Sequence, residues 1–264
     1  MKNLIVMSLV LLFSSPTYGT FASRIGMTQV QGANFDPISQ FSLGGSYQPT
    51  KATTLALTQS MTKNYFIDSA TDEWNIEDTS LSASILFNHK RRTHRFAVAA
   101  ALSLPVSRQS QYDEKYTSLS TRGNYYFAPR KWLRYTFGVG IDGHMSRYQT
   151  TPNDEGSGGR VLPKYGYLAT QAGRISFKYW NIGYSYSFRQ TYYYQLDDES
   201  SNPPNQNLPD QSYQVSASAG LTFGSFDTSL GYSQGRRLEL AGVADYVIFD
   251  EDQSTGFVSM GYSF

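Results

Sequence analysis

The 264-residue chain contains no cysteine, and after residue 13 it has no apolar run as long as a membrane helix needs. Without cysteine there is no disulfide, no thiolate metal site, no cysteine nucleophile and no lipoprotein anchor. A membrane helix takes about 20 consecutive apolar residues, so helical membrane proteins are excluded too. The net charge is only +1, and a chain without a basic excess carries no electrostatic signal for nucleic-acid binding.

The N-terminus has the pattern of an export signal. Lys2 precedes a short apolar stretch over residues 4–13, and Pro16 and the small residue Gly19 follow. This order of a basic residue, an apolar segment and a small residue is typical of a secretory signal peptide. Because the stretch is too short for a retained membrane helix, we predict a signal peptide over residues 1–19 and a mature domain over residues 20–264.

The last ten residues, 255–264, alternate between two kinds of side chain. One face carries Gly256 and the larger apolar groups of Val258, Met260, Tyr262 and Phe264. The other face is mostly small and hydroxylated, which is typical of a strand between two different solvents. Such a strand, ending on an aromatic residue, resembles the C-terminal strand of Gram-negative outer-membrane β-barrels, the porin-like class. The resemblance implies a bacterial outer-membrane location, with these four larger residues as the signal read by the barrel insertion machinery.

The rest of the chain repeats this alternation. Its 21 Tyr, 16 Phe and 22 Gly accompany a negative mean hydropathy of -0.42, which suits a barrel with one face in lipid and the other in water. Connections that are short and long in turn predict an all-β fold, a transmembrane antiparallel up-and-down β-barrel of twelve strands. The closing strand is expected to pair with residues 21–31. Residues 233–253 receive no single assignment, because they could extend the eleventh strand beyond the membrane or fold inside the loop. Short turns near residues 50, 92, 130, 179 and 224 are predicted to face the periplasm with both termini.

Arginine recurs on the inward face of four consecutive predicted strands. The positions are Arg122, Arg134, Arg174 and Arg189, and they should lie along one wall of the lumen. One interpretation is an electropositive stripe that favours anionic solutes in passage, because charged side chains tune the selectivity of pores. The other is that these arginines pair with Asp142 or with a loop folded inward, and so only fill and solvate the interior.

Asp142, His144 and Ser146 share the inner face of one predicted strand, which makes Asp142 and His144 candidate lumen-lining residues. In composition the three also resemble a hydrolase triad. Residues two apart on a strand stand about 6.5 to 7 Å apart, whereas a nucleophile and its base need about 2.6 to 3.2 Å. We therefore expect no triad on this strand and predict that the chain is not an enzyme.

Residues 138–143, GVGIDG, match the glycine spacing of dinucleotide-binding loops. In those loops the glycines follow a strand and open a helix, but here they lie within a strand. We expect Gly138 and Gly140 to make room in the lumen, and we predict no cofactor.

Acidic residues gather in the long loops, and of the 21 acidic residues only Asp142 and Asp227 lie on predicted strands or short turns. The loop acids include Asp68, Asp72, Glu73, Glu77, Asp78 and the runs 197–199 and 250–252. Solvated loop charge is one explanation, and divalent bridging to lipopolysaccharide is another. The segment DEDQSTG lacks the spacing of a calcium loop, and no metal site is predicted.

A barrel of twelve strands should have a narrow bore, since wide aqueous channels have about 16 to 18 strands. The inward residues expected to constrict it are Leu86, Tyr126, Leu168, Tyr193 and Phe257. The sequence favours a narrow passive channel for small polar solutes, with anionic solutes as a candidate class. The alternative is a non-conducting barrel that acts through acidic extracellular loops as an adhesin or envelope anchor. Expected partners are outer-membrane lipid, lipopolysaccharide, the insertion machinery and small solutes, with no nucleic acid.

Overall fold

The computed structural model describes residues 19–32, 37–65, 73–88, 93–150, 161–194, 209–238 and 254–264. Residues 1–18 of the predicted signal peptide and the unassigned residues 239–253 lie outside this part of the chain. The described elements are β1 Thr20–Gly32, β2 Ile38–Gln48, β3 Thr53–Asn64, β4 Glu73–Ile76, β5 Thr79–Asn88, β6 His94–Leu104, α1 Arg108–Tyr112, β7 Lys115–Arg130, β8 Leu133–Ser146, β9 Pro163–Ser176, β10 Trp180–Tyr193, β11 Asp210–Phe223, β12 Phe226–Leu238 and β13 Ser254–Ser263.

Twelve of these strands form one closed antiparallel wall. Each pairs with its neighbours along the chain, and β13 closes the wall against β1, with Arg24 opposite Ser263 and Gly32 opposite Thr255. Of the described strands, β4 alone stands outside this circle, paired with β3. The predicted all-β barrel of twelve up-and-down strands, with its closing pair, is confirmed.

Strand alternation separates two surfaces of opposite character. On β8, Val139 is 69% exposed and Ile141 is also exposed on the outer face, whereas the intervening inner positions are glycines. The described residues contain only two buried hydrophobic side chains, Ala97 and Leu162. The barrel therefore has no conventional core, and its apolar side chains stand on the exterior, where lipid covers them. No helix in the described ranges is long and apolar enough to cross a membrane.

Two local features depart from a plain meander. Gly224 and Ser225 join β11 to β12 in a two-residue turn, and the φ of +59° at Gly224 suits glycine as the first central residue of a type II′ turn. The prediction that Glu73 lies in a loop is wrong, because it begins β4 and pairs with Asn64 at the end of β3.

The end of the barrel with the short turns is called the turn end below, and the opposite end the loop end.

Aromatic rings cluster at the turn end. Trp132 stacks on Phe177 with ring centroids 6.5 Å apart, and Phe177 stacks on Trp180 at 4.1 Å. On the neighbouring part of the wall, His94 stacks on Phe127 at 5.1 Å. Aromatic belts mark the boundary between membrane and water, so one border of the lipid-facing band lies at this level.

Candidate functional site

Strand register brings the four predicted arginines to one wall, formed by β7 to β10. Arg134 lies opposite Arg174 across β8 and β9, while Arg122 lies opposite Gly140. Leu168 of β9 is paired with Gly140 of β8 on one side and with Arg189 of β10 on the other. Arg122 and Arg189 therefore lie at the two ends of one row of paired residues across β7 to β10. All four arginines have the inward parity, and their role in lining a solute path stays a prediction.

Gly138 and Gly140 do not open the lumen as the sequence led us to expect. A Cβ atom on Gly140 would lie 2.9 Å from Cγ of Arg122, and one on Gly138 would lie 2.6 Å from Oδ1 of Asn124. Neighbouring side chains therefore already occupy the space that these glycines leave. The glycines let the inner layer of side chains lie close to the wall.

Asp142 is the centre of a small cluster in the loop-end half of the lumen. Its Oδ2 accepts a hydrogen bond of 2.6 Å from Nη2 of Arg189 and lies 2.9 Å from Nε2 of His144. The prediction that strand spacing keeps such side chains apart is wrong for Asp142 and His144, because the side chains lean toward each other over the backbone. The alternative that the lumen arginines pair with Asp142 holds for Arg189.

A hydrolase triad would need a nucleophile on the other side of the imidazole. His144 uses Nε2 toward Asp142, so a serine hydroxyl would have to reach Nδ1. Among the described residues, Ser146 makes no hydrogen bond to His144, and its backbone position lies opposite Lys115 on β7. The arrangement in the described wall is a charge cluster of an aspartate, a histidine and an arginine.

The pair of Asp142 and Arg189 skips one strand. Asp142 is on β8 and Arg189 is on β10; on the intervening β9, Asp142 is paired with Gly166 and Arg189 with Leu168, and the Asp142 carboxylate lies over Gly166. A Cβ atom on Gly166 would lie 3.2 and 3.3 Å from the two carboxylate oxygens of Asp142. Because Gly166 has no side chain, the Asp142 carboxylate can lie over β9 and reach Arg189 on β10.

A second pair repeats this arrangement at the closing seam of the barrel. Nη2 of Arg24 on β1 donates to both carboxylate oxygens of Asp227 on β12, at 3.1 and 2.9 Å. The intervening strand is β13, where a Cβ atom on Gly261 would lie 2.7 Å from the Arg24 guanidinium. Sequence reasoning missed Arg24, although its inward parity on β1 was readable.

A third pair ties the loop-end strands. Oδ2 of Asp78, next to β5, accepts from Nζ of Lys115 on β7 at 3.0 Å. Ser103 on the intervening β6 and Ser110 of α1 donate to the same oxygen, and the backbone amide of Ser107 donates to the other. The interpretation of Asp78 as solvated loop charge is wrong, since its side chain is only 15% exposed.

Burial and hydrogen bonding have opposite effects on the pKa of Asp78, which lies outside the strands. Burial alone would raise the pKa of its carboxyl group, but the hydrogen bonds from Ser110, Ser107 and Lys115 outweigh burial and lower the pKa from 3.8 to about 2. Asp78 is therefore ionised at any physiological pH. The loop acids Asp68 and Asp72 and the runs 197–199 and 250–252 lie outside the described residues. Within the described ranges, no three acidic or histidine side chains gather as a metal site would require.

We call these three contacts the strand-skipping ion pairs. They join β5 to β7, β8 to β10 and β12 to β1, and the intervening strand contributes Ser103, Gly166 or Gly261. Each pair thus needs a small residue at the crossing point, because a larger side chain would stand between the charges.

Other inward arginines have no such counterpart. The ion pairs of the described residues involve none of Arg95, Arg122, Arg134 and Arg174. Arg95 and Arg134 line a lumen cavity of about 370 Å³ at the turn end, together with Lys51. Sequence reasoning also missed Arg95, although it shares the inward parity of Ala97 on β6.

Apart from Arg189, the described wall from β10 to β13 is uncharged over most of its height. Its inner hydroxyl groups bond in pairs across the strands, with Oγ atoms 2.7 Å apart for Ser185 and Ser216 and 2.6 Å apart for Ser229 and Ser259. Only Asp227, near the turn, and Asp210, near the loop end, bring charge to the inner faces of β11 and β12 for which side chains are described. The lumen therefore has an arginine-rich wall and a hydroxyl-rich wall.

The predicted constricting residues have different surroundings. Tyr126 and Leu86 line the turn-end cavity, and Tyr193 near the loop end donates a 3.0 Å hydrogen bond to Asp210. The ring of Phe257 lies over Gly231 of the neighbouring β12. Phe257 is therefore wrongly predicted as a constriction, because its ring lies along the wall.

The predicted insertion-signal residues share the exterior of β13. Their side chains are exposed, as lipid-facing groups are, and they are Val258, Met260, Tyr262 and Phe264. The backbone of Phe264 also exchanges hydrogen bonds of 2.9 and 3.0 Å with Ser23 of β1. This placement is compatible with a signal on the lipid-facing side of the seam, and the signalling role stays a prediction.

Comparison by sequence finds no relative. No protein-family model matches the chain, and no curated protein matches it.

Comparison by structure finds barrels of the same kind. An outer membrane channel from Pseudomonas putida F1 superposes with a TM-score of 0.61 at 11% identity, covering 95% of this chain and 97% of that one. The NanC porin gives a TM-score of 0.56 at 10% identity, covering 92% and 98%. The KdgM porin in complex with disordered oligogalacturonate gives 0.51 at 10% identity, covering 91% and 99%. This chain has the outer-membrane β-barrel fold. The fold and its lipid-compatible exterior place it in the bacterial outer membrane.

Proposed function

We propose that the protein is a narrow passive channel for small polar solutes, that it prefers anionic ones, and that it has no catalytic activity. One observation carries the proposal. Within the described wall, Arg122, Arg134 and Arg174 face inward and belong to no ion pair, whereas Asp142 and Asp227 are each paired with an arginine. The described lumen therefore has an excess of positive charge.

An excess of one sign has a larger effect in a narrow lumen than on an open surface. A cleft lined by one sign of charge and walled by low-dielectric material focuses the field and concentrates counter-ions. Three similar barrels are channels or porins by name, which supports conduction for this fold. The anionic preference rests on this chain's own arginines.

Reversal potentials across a KCl gradient test the proposal directly. The mature protein, refolded and inserted in a planar bilayer, should show stable unitary steps and a reversal potential of the sign for anion preference. The double variant Arg122→Gln with Arg174→Gln should lower the chloride-to-potassium permeability ratio by roughly threefold or more, since one unit charge about 5 Å from an ion in water is worth roughly 0.8 kcal/mol.

A matched control removes one positive charge outside the lumen. Lys178 lies in a turn, with Nζ 4.7 Å from the ring centroid of Tyr179, so Lys178→Gln should leave the permeability ratio unchanged. Cation preference in the unmodified protein would contradict the proposal. The absence of unitary steps despite verified insertion would favour the non-conducting alternative, in which the loops act as an adhesin or envelope anchor.

The exterior supports two further roles that we propose for this chain. The lipid-facing side chains contact outer-membrane lipid, including lipopolysaccharide in the outer leaflet, and β13 is the strand that the insertion machinery recognises. Removing Phe264 should slow assembly into proteoliposomes that contain this machinery, as followed by heat-modifiable migration on gels. Assembly at the same rate as the full chain, with Ser263→Ala as the control, would refute the signalling role.

A further inference from the structure

A like-charge pair stands on the inner wall at the turn end. Arg134 and Arg174 occupy directly opposed positions on β8 and β9. Opposed residues on antiparallel strands have Cβ atoms about 4.5 to 5.5 Å apart, and like charges placed there destabilise the sheet. No carboxylate of the described residues forms an ion pair with either arginine. The wall thus places two arginines at directly opposed positions, where their like charges destabilise the sheet.

Two more cations face the same region. The turn-end cavity of about 370 Å³ is lined by Arg134 with Arg95 and Lys51, which come from β6 and from the turn after β2. Its volume falls within the range of small-molecule sites, about 300 to 1,000 Å³. Positive groups from three separate parts of the wall therefore converge on one space.

The remaining lining is mixed in a way that suits an organic solute. Leu86, Ala97 and Tyr126 give the cavity an apolar side, and Thr54 and Ser84 add hydroxyl groups. Ligand sites commonly combine an apolar surface with a few placed polar groups. A simple inorganic ion gains nothing from contact with the apolar side, whereas the carbon skeleton of a sugar can pack against it.

We propose that the turn end of the lumen contains a binding site for the oxyanion group of a small organic solute, a phosphorylated or carboxylated sugar. Arg134, which lines the cavity, and Arg174, which is opposed to Arg134 on β9 and lies outside the cavity lining, hold the oxyanion at the edge of the cavity, because arginine binds such groups through two parallel N–H donors. Lys51 and Arg95 add charge, and Tyr126 with Leu86 contacts the skeleton. The anion relieves the repulsion between the two arginines, so binding and barrel stability are linked.

The inference deepens the proposed channel function and rests on it for its biological meaning, but binding can be measured without conduction. Titration calorimetry on the refolded barrel in detergent would use glucose 6-phosphate, glucuronate and glucose as probes. Saturable binding is expected for the two anions, and none for glucose. Comparison of the two anions distinguishes a phosphate site from a carboxylate site.

Matched variants test the assigned residues. The double variant Arg134→Gln with Arg174→Gln should weaken glucose 6-phosphate binding by about tenfold or more, because two charge-assisted contacts are lost. Lys178→Gln, outside the lumen, should bind as the unmodified protein does. Equal affinity in the double variant, or binding of glucose as strong as that of glucose 6-phosphate, would overturn the proposal.

A charge-conserving variant keeps the test valid if the glutamine variant fails to fold. Arg134→Lys with Arg174→Lys retains both charges but not the planar donors, so it should keep the anion preference in bilayers and lose several-fold in phosphate affinity. Saturable binding in a barrel that does not conduct would refute the channel function and leave the site standing. Anion-selective conduction without saturable binding would support the channel and overturn the site.

Discussion

Arginines on the inner wall fall into two groups that differ in what they face. Arg24 and Arg189 each reach an aspartate two strands away across a glycine. Arg134 and Arg174 face each other on adjacent strands, and the described ion pairs include neither. The first group ties strands together, and the second leaves positive charge beside a cavity.

Inward parity alone therefore does not determine whether a lumen arginine is part of an ion pair. All four residues face inward, and all four are at least partly exposed to the lumen. A carboxylate at the matching height, with a small residue between, makes an arginine structural. Where such a carboxylate is missing, the charge stays available to a solute, at a cost in stability.

The largest effect is expected from Asp142→Asn, which turns Arg189 into an unpaired lumen cation. The free energy of unfolding should fall by about 1 to 2 kcal/mol, since a hydrogen bond to a charged group is lost at a partly exposed site. Anion preference in bilayers should rise at the same time, because Arg189 is released. Denaturant titration followed by tryptophan fluorescence measures the first change, and the reversal potential measures the second. A variant that loses stability without any gain in anion preference would contradict the division of the arginines into ion-paired and unpaired groups.

Filling a crossing point should separate charges without removing them. In Gly261→Ala the new Cβ would lie 2.7 Å from Nη2 of Arg24 and 2.9 Å from Oδ1 of Asp227, so the pair must shift, at a cost of about 1 kcal/mol. Gly166→Ala should cost less, because its closest contacts are 3.2 and 3.3 Å. Gly256→Ala on the same strand as Gly261 is the control, with its nearest atom 3.9 Å away. Equal thermal transition temperatures for all three variants would show that the crossings do not matter.

The pair at Asp78 predicts a pH dependence. The folded pKa of about 2 lies below the ordinary value of 3.8, so this cluster contributes fully above pH 4 and loses its contribution as the pH falls through about 2. Asp78→Asn should lower the unfolding free energy by about 1 kcal/mol at pH 6 and by only a small part of that near pH 2. Thermal unfolding across this pH range measures the difference, with Glu77→Gln as the control. A difference between Asp78→Asn and the unmodified protein that stays constant down to pH 2 would contradict the assignment.

The smallest effect has the opposite sign. Arg174→Gln removes one member of the like-charge pair, so the unfolding free energy should rise by about 0.5 kcal/mol. Arg189→Gln, which removes a tied arginine, should lower it. Denaturant titration of both variants in the same detergent gives the comparison its sharpest form. Destabilisation by both variants to the same extent would place all the arginines in one group.

The fold was largely readable from the sequence, because a strand with lipid on one side and water on the other fixes the face of every residue. Thus Arg134 and Asp142 were predicted inside from parity alone, and Val139 and Ile141, which have the opposite parity, lie outside. Arg24 and Arg95 have the same inward parity. They were missed because they lie on β1 and β6, outside the four consecutive strands that carry the predicted arginines.

The contacts of the site could not be predicted from the sequence. Parity gives the face on which a side chain lies, but not its position along the barrel axis. Whether Asp142 meets Arg189 depends on the stagger of three strands, which the sequence of any one strand does not specify. Asp78 shows a second limit, which is sequence distance. Its partners Ser110 of α1 and Ser107, the N-cap of α1, follow two strands later in the chain. The ring of Phe257 shows a third, because rotamer choice decides whether an inward aromatic blocks the bore or lies along the wall.

The strand-skipping ion pairs have a mechanical consequence. Each one links the outer members of a three-strand unit on the concave side of the wall, so it acts as a chord that resists opening of the curve about the middle strand. The chords span β6, β9 and β13. The arc around β2 and β3 carries no such chord among the described residues, so under lateral pressure from the bilayer the cross-section should flatten there first.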